Sequence, residues 1–215
     1  QSNALLEEEF RYLRTNLMSV TVDERPRAVV VTSSTAGEGK TTVAINLALA
    51  LAQADLRVVL VDADLRRPAV TRYLQIEGSV GLTNALIGDA PVGALIQTWG
   101  THHLSVLAAG AVVPNPSELL GSRAMSQLLA QFREDYDIVV LDGAPLAVTD
   151  SASLSRHTDG ALVVVNARRT QAKQLARSLA TLELLRIRVL GIVLNQTPSD
   201  RRAEHYSTYG PQTRA

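Results

Sequence analysis

The sequence predicts an α/β fold, a mainly parallel β-sheet covered by helices on both faces. Three observations predict it. Apolar, largely β-branched runs recur at 29–32, 58–61, 138–141, 161–165 and 189–194. Segments of helical character separate several of them, the pattern of strands joined by crossover helices. Three of the runs also end on small or acidic residues, the loop 33–39, Asp62 and Asp142, as expected where strands deliver functional groups to a carboxyl edge.

Taken in order, residues 1–4 read as an expression-tag remnant and are set apart from the fold. Leu6, Phe10, Leu13 and Leu17 recur at helical spacing, with Glu8, Arg11 and Arg14 together on another face, so 5–18 is expected to be helical. Residues 23–27 are turn-like, 29–32 is a buried strand, and 40–54 is a buried helix. That helix is too short to cross a bilayer, which takes about 18–20 apolar residues. Strands follow at 58–61, 104–107, 138–141, 161–165 and 189–194, with helices at 116–132, where Asn115 is the candidate N-cap, and at 171–185. One domain thus spans 5–198, and the polar segment 199–215 is expected to be a mobile tail.

Composition narrows the chemistry. The 21 basic and 21 acidic residues give a formal net charge of zero, so no overall field draws the molecule to nucleic acid or to an anionic membrane, and no nucleic-acid partner is expected. There is no cysteine, which excludes disulfides, thiolate metal sites and iron–sulfur clusters.

The strongest local signal is Ser34-Thr35-Ala36-Gly37-Glu38-Gly39-Lys40-Thr41, followed by Thr42, between a strand and a helix. It matches the P-loop pattern with Ser34 where the first glycine usually stands. Gly37 and Gly39 permit the tight turn that aims successive N–H groups at phosphates, and the helix opening at Lys40 adds its positive end. Lys40 offers a charge to the β and γ oxygens, and Thr41 a hydroxyl to magnesium, so ATP and Mg2+ are the expected ligands. Asp62 and Asp64, two apart just past a strand, face the same way if the chain stays extended, and both are candidates to look at the γ-phosphate. Asp142 ends another strand and is placed to hold magnesium through a water. Each aspartate alone reads as a strand-end turn or helix cap; three converging on one P-loop specify a P-loop NTPase. Arg66 and Arg67 are either contacts for phosphate or acidic partners, or a charged surface turn.

With Val58-Val59-Leu60-Val61-Asp62-Ala63-Asp64-Leu65-Arg66-Arg67-Pro68 and Ile138-Val139-Val140-Leu141-Asp142 beside the P-loop, the chain resembles the bacterial tyrosine kinases, whose corresponding segments are called Walker A, A′ and B. The triplet Glu8-x-x-Arg11-x-x-Arg14 is similar to that family's signature for ring assembly, and Asn115-Pro116-Ser117-Glu118-Leu119-Leu120 also resembles its sequence. The likeness covers nearly the whole chain. It implies an ATP-dependent kinase that phosphorylates tyrosines of its own C-terminal tail across subunits, as part of exopolysaccharide or capsule synthesis and export. It further implies a ring-forming homo-oligomer beside, or fused to, a membrane-anchored polysaccharide chain-length regulator, and hence a cytoplasmic site at the inner face of the membrane. Carried over by motif, Lys40 and Thr41 hold phosphate and magnesium, Asp64 and Asp142 complete the metal shell, and Asp62 is the base for the tyrosine hydroxyl. The motif leaves the division between Asp62 and Asp64 open. Tyr206 and Tyr209 are the candidate acceptors, Asn195 a candidate for the adenine, and Glu8, Arg11 and Arg14 a contact between subunits.

Two departures stand beside the likeness. The tail is sparse in tyrosine, and Gly143-Ala144-Pro145 follows Asp142 where the family has a small hydroxyl residue and two prolines. They keep open a non-catalytic, ATP-responsive assembly module. A deviant Walker A ATPase of the partitioning or division-site type shares the fold and the aspartates, but Thr35 occupies the place of its signature lysine.

Overall fold

A computed structural model describes residues 2–19 and 25–197, so the predicted acceptors Tyr206 and Tyr209 lie outside the described residues. Seven strands form one sheet: β1 (Ala28–Ser33), β2 (Val58–Asp62), β3 (Ile96–Trp99), β4 (Leu104–Leu107), β5 (Ile138–Asp142), β6 (Gly160–Asn166) and β7 (Val189–Asn195). Their order is β3-β4-β2-β5-β1-β6-β7, and every pairing is parallel except that of β3 with β4. The expected mainly parallel sheet is therefore present. The antiparallel edge strand β3 is not predicted by the sequence, because three of its four residues are only partly buried, Thr98 is exposed, and they carry no sustained apolar run.

Both faces of the sheet are covered, which is why the inner strands read as continuous apolar runs instead of alternating with polar residues. Strand residues still divide by the two-residue period. Val30, Val59, Val61, Val139 and Leu141 enter one core, which also receives Leu120, Leu129, Phe132, Leu154 and Leu182. Val29, Val31, Val58, Leu60, Ile138 and Val140 enter the other, with Phe10, Leu17, Leu47, Leu51 and Leu74. The first core is roofed by α4 (Leu82–Ile87), α5 (Pro116–Leu120), α6 (Arg123–Asp135), α7 (Thr149–Ser155) and α8 (Ala172–Leu184), and the second by α1 (Ser2–Ser19), α2 (Lys40–Ala52) and α3 (Val70–Leu74). Among the described residues no helix is long and apolar enough to cross a membrane.

Two expectations need correction. The single helix expected over 116–132 is two, broken at Gly121, and the second is capped by Ser122, whose side chain accepts from the Met125 N–H at 3.2 Å. A serine hydroxyl is a strong N-cap acceptor, and it starts a new helix where the pattern suggested continuation. Asn115 stands at the N-cap of the first, as expected, but its side chain makes no cap hydrogen bond; its Nδ2 donates to the Glu118 carboxylate at 2.7 Å. The stripe on α1 also divides. Glu8 and Arg11 form an exposed ion pair at 2.9 Å, whereas Arg14 turns toward α2 and its Nη1 donates to the Ala50 carbonyl at 2.9 Å. Helical spacing groups side chains by direction, but an arginine long enough to reach an unsatisfied carbonyl on the neighbouring helix takes it.

Candidate nucleotide and phosphoryl-transfer site

The sheet order sets the site. β5 lies between β1 and β2, and in register Asp142 is opposite Val31 on one side and Asp62 on the other. The carboxyl ends of three adjacent strands thereby bring the loop after β1, Asp142 and Asp62 to one edge. Gly37 and Gly39 in that loop have φ of 83° and 96°, a region that side chains disfavour. With no side chain capping α2, its first N–H groups are left facing the loop as an anion site.

A cavity of about 770 Å³ opens here, lined by Thr35, Ala36, Gly37, Gly39, Lys40, Thr41, Thr42, Asp64 and Asn195. Nine predicted residues therefore line one cavity. Glu38 departs from the expectation. Its side chain is buried, and its carboxylate accepts from the Thr35 N–H at 2.8 Å and from the Thr170 hydroxyl. A second anion facing the phosphates would repel them, and the carboxylate instead braces the loop against the start of α8. Asn195 likewise serves the loop: its Nδ2 donates to the Glu38 carbonyl at 2.9 Å and its Oδ1 accepts from the Gln196 N–H at 2.9 Å.

The aspartates occupy two depths. Asp64 lines the cavity and faces Lys40 Nζ at 3.7 Å, while its Oδ1 accepts from the Arg67 N–H at 3.1 Å. Asp62 and Asp142 are fully buried behind it. Asp62 Oδ2 accepts from the N–H groups of Ala69 and Val70, both at 3.0 Å. Asp62 and Asp64 thus do not present equally to a ligand, because the chain leaves the extended conformation at the end of β2. Burial pushes the Asp62 carboxyl up to about 6 against the two backbone donors, with the Asp64 charge adding to the rise. Burial, and then the charge of Asp62, push Asp142 up to about 8, opposed by the Thr41 hydroxyl, which donates to its Oδ2 at 2.6 Å, and by Lys40.

The Oδ1 atoms of Asp62 and Asp142 have no hydrogen-bond partner among the described residues. Buried carboxyl oxygens left in this way are costly, and three acids facing one lysine form, once ionised, a negative surplus that suits a divalent cation. No three His, Cys, Asp or Glu side chains converge as a metal cage among the described residues. Magnesium would accordingly be held by Thr41, Asp142 and the cavity-lining Asp64 together with phosphate oxygens and water, the arrangement of a phosphoryl-transfer site.

The same cavity is also lined by residues that the motifs did not single out, Arg72, Tyr73 and Gln196, together with Arg66. Arg66 pairs with Asp150, another residue the sequence did not mark. An aspartate in the first turn of a short helix carries no signal of its own, and only the tertiary fold brings it to the segment after β2.

This fold and loop define a P-loop NTPase, and the family described as "ParA: NUBPL iron-transfer P-loop NTPase" matches residues 25–208. Closer likeness narrows the class. The chain is 36% identical to the tyrosine-protein kinase YwqD of Bacillus subtilis (strain 168), over 98% of this chain and 89% of the relative. It is 35% identical to the tyrosine-protein kinase etk of Escherichia coli (strain K12), over 87% of this chain but only 26% of that protein. The crystal structure of the chimerical protein CapA2B2 superposes with a TM-score of 0.85 at 32% identity, covering 89% of this chain and 85% of that one. The chain belongs to the bacterial tyrosine-kinase family, and with it to nucleotide-binding P-loop proteins.

Proposed function

We propose that this chain is the kinase domain of an ATP-dependent protein-tyrosine kinase that phosphorylates Tyr206 and Tyr209 in the tail of a neighbouring subunit. The observation that carries it is the joining of P-loop and strand ends by Thr41 to Asp142 and Lys40 to Asp64, around a cavity large enough for a nucleotide. On nucleotide binding Lys40 turns from Asp64 to the β and γ oxygens. Asp64 would then be free to hold magnesium together with Thr41 and Asp142. Magnesium, when bound, supplies neutralisation of the phosphate charge. The tyrosine oxygen attacks the γ-phosphorus. Its new O–P bond forms as the bond from phosphorus to the bridging β,γ-oxygen breaks, and ADP leaves with that electron pair. The hydroxyl proton passes to a carboxylate, for which Asp62 is suited by its pKa near neutrality and its unpartnered Oδ1.

This chain spans about a quarter of etk, so that relative carries further segments; in the proposed function a membrane-anchored partner or fused segment acts in exopolysaccharide or capsule export, with this domain at the inner face of the membrane, as the family resemblance implies. A ring assembled through Glu8 and Arg11 fits their exposure on α1, with Arg14 holding that helix to α2. Mass spectrometry of the protein incubated with magnesium and ATP, beside Lys40→Met, tests the kinase reading. Phosphate on Tyr206 and Tyr209 only in the unsubstituted protein is expected. ATP binding with no tyrosine modified in either sample would sink the kinase in favour of an ATP-responsive assembly module.

A further inference from the structure

The geometry points to a second cation on the transferred phosphate: Arg66 contacts the γ-phosphate, and Asp150 is the positioning residue that aims it. Arg66 lines the same cavity as Lys40 and Asp64, two residues beyond the latter. Its side chain is 49% exposed, yet its far end is held on one edge: Nε donates to Asp150 Oδ2 at 2.6 Å and Nη2 to Oδ1 at 3.1 Å. The acceptor is fixed in turn. Asp150 is 1% exposed, at the start of α7, and its Oδ1 also accepts from the hydroxyl of Ser117 in α5. The Ser117 hydroxyl lies 2.7 Å from that of Thr149. Burial alone would raise the Asp150 carboxyl, but hydrogen bonds from Arg66 and Ser117 outweigh it and hold the group below the usual carboxylate range, as an anion.

A guanidinium carries five N–H groups in a rigid plane. A bidentate carboxylate takes one edge and fixes the plane, leaving the other edge for a second anion. No acceptor for Arg66 Nη1 is found among the described residues. The anion for which the cavity is built is phosphate, since the P-loop, Lys40 and Arg66 all line it. A cation already held in place at the developing charge needs no reorganisation during transfer, and electrostatic catalysis depends on that. The inference rests on the proposed reading of the cavity as an ATP site, whichever group accepts the phosphate.

The test compares affinity for ADP with magnesium, alone and with beryllium fluoride as a γ-phosphate mimic, in the unsubstituted protein, Arg66→Ala, Arg66→Lys, Asp150→Asn and the double variant Arg66→Ala/Asp150→Asn. Beryllium fluoride is expected to tighten binding to the unsubstituted protein. Arg66→Ala should lose about tenfold or more of that gain, while ADP alone stays within about twofold. Asp150→Asn should lose most of it too, the double variant should be no worse than Arg66→Ala, and Arg66→Lys should not restore it. Added guanidinium should restore the gain in Arg66→Ala but not in the double variant, which separates aiming by Asp150 from mere loss of folding. A full gain in Arg66→Ala, equal weakening of ADP alone, or rescue without Asp150 would each overturn the inference. If the unsubstituted protein failed to bind ADP, the nucleotide reading would fall and the inference with it. Absence of phosphotyrosine with the gain intact would sink only the kinase reading.

Discussion

The Thr41 hydroxyl donates to Asp142 Oδ2 at 2.6 Å across 101 residues of sequence, joining the start of α2 to the end of β5. That bond ties the phosphate loop to the carboxylate most strongly perturbed by burial. In the proposed mechanism the same two groups, with Asp64, are the protein's ligands for magnesium, so their protonation, loop order and nucleotide affinity are linked.

Asp142 makes the unliganded protein sensitive to pH. Its pKa is raised from an ordinary 3.8 to about 8, so the folded state favours the protonated form. The associated stability is complete below about pH 4 and is lost as pH rises through about 8. Thermal melts of the nucleotide-free protein should fall across that window. Asp142→Asn should flatten the fall and raise stability at its alkaline end by roughly 1–3 kcal/mol, the penalty of a buried unsatisfied polar group. Affinity for magnesium with ADP should instead strengthen as pH rises, because binding needs the carboxylate. Melts and titrations that were flat in pH would contradict the assignment.

Lys40→Met should leave the fold intact and lower phosphate transfer by about a hundredfold or more, the scale on which one preorganised charge contact acts in a transition state. Lys40 meets Asp64 at 3.7 Å, so its loss also leaves that carboxylate without its lysine. A rate of phosphotyrosine formation unchanged from the unsubstituted protein would rule out the lysine's role.

Gly39→Ala should weaken ADP binding and cost about 1–2 kcal/mol of stability, because φ of 96° is unfavourable for any residue with a Cβ. The added carbon would meet Asn195 Nδ2 at 2.0 Å, so the clamp from β7 must also swing away. Isothermal titration with a parallel melt reads both effects. Gly37→Ala, whose Cβ would meet nothing within 4 Å, should show the backbone cost alone.

Glu38→Gln tests whether its carboxylate braces the loop. The amide keeps the size but replaces one acceptor oxygen with a donor, so the bonds from Thr35 N–H and Thr170 cannot both be kept as they are. Stability should fall by about 1.5–3 kcal/mol, the range for hydrogen bonds to charged groups. Were Glu38 instead a phosphate-facing residue, removing its charge would strengthen ADP binding, and that outcome would refute the brace.

Arg14→Ala should cost about 1 kcal/mol through the lost bond to Ala50, whereas Arg11→Ala and Glu8→Ala should cost about 0.5 kcal/mol or less, as an exposed pair does. Light scattering of the triple variant tests the proposed ring. A ring that persisted would exclude these residues as its contact.

The sequence by itself determined the sheet's inner strands, the phosphate loop and the three aspartates, because each is local: β-branched runs buried on both faces, glycines at fixed offsets, acids at strand ends. It also determined that α2 is buried almost all round, since 40–52 carries few polar residues. It misjudged what depends on a competing partner. One helix became two because Ser122 caps the second, and Arg14 left its stripe for the Ala50 carbonyl.

Only the tertiary structure decided the depth of each group. Asp62 and Asp64 are equivalent by spacing, but the turn after β2 buries one beneath two backbone donors and leaves the other beside Lys40. Glu38 sits inside the phosphate motif, yet Thr170, 132 residues away, draws its carboxylate out of the phosphates' path. Arg66 and Asp150, 84 residues apart, meet only because α5 and α7 pack on each other beside the segment that follows β2. Periodicity fixes which way a side chain leaves the backbone; what it meets there is set by long-range packing, which no local pattern encodes.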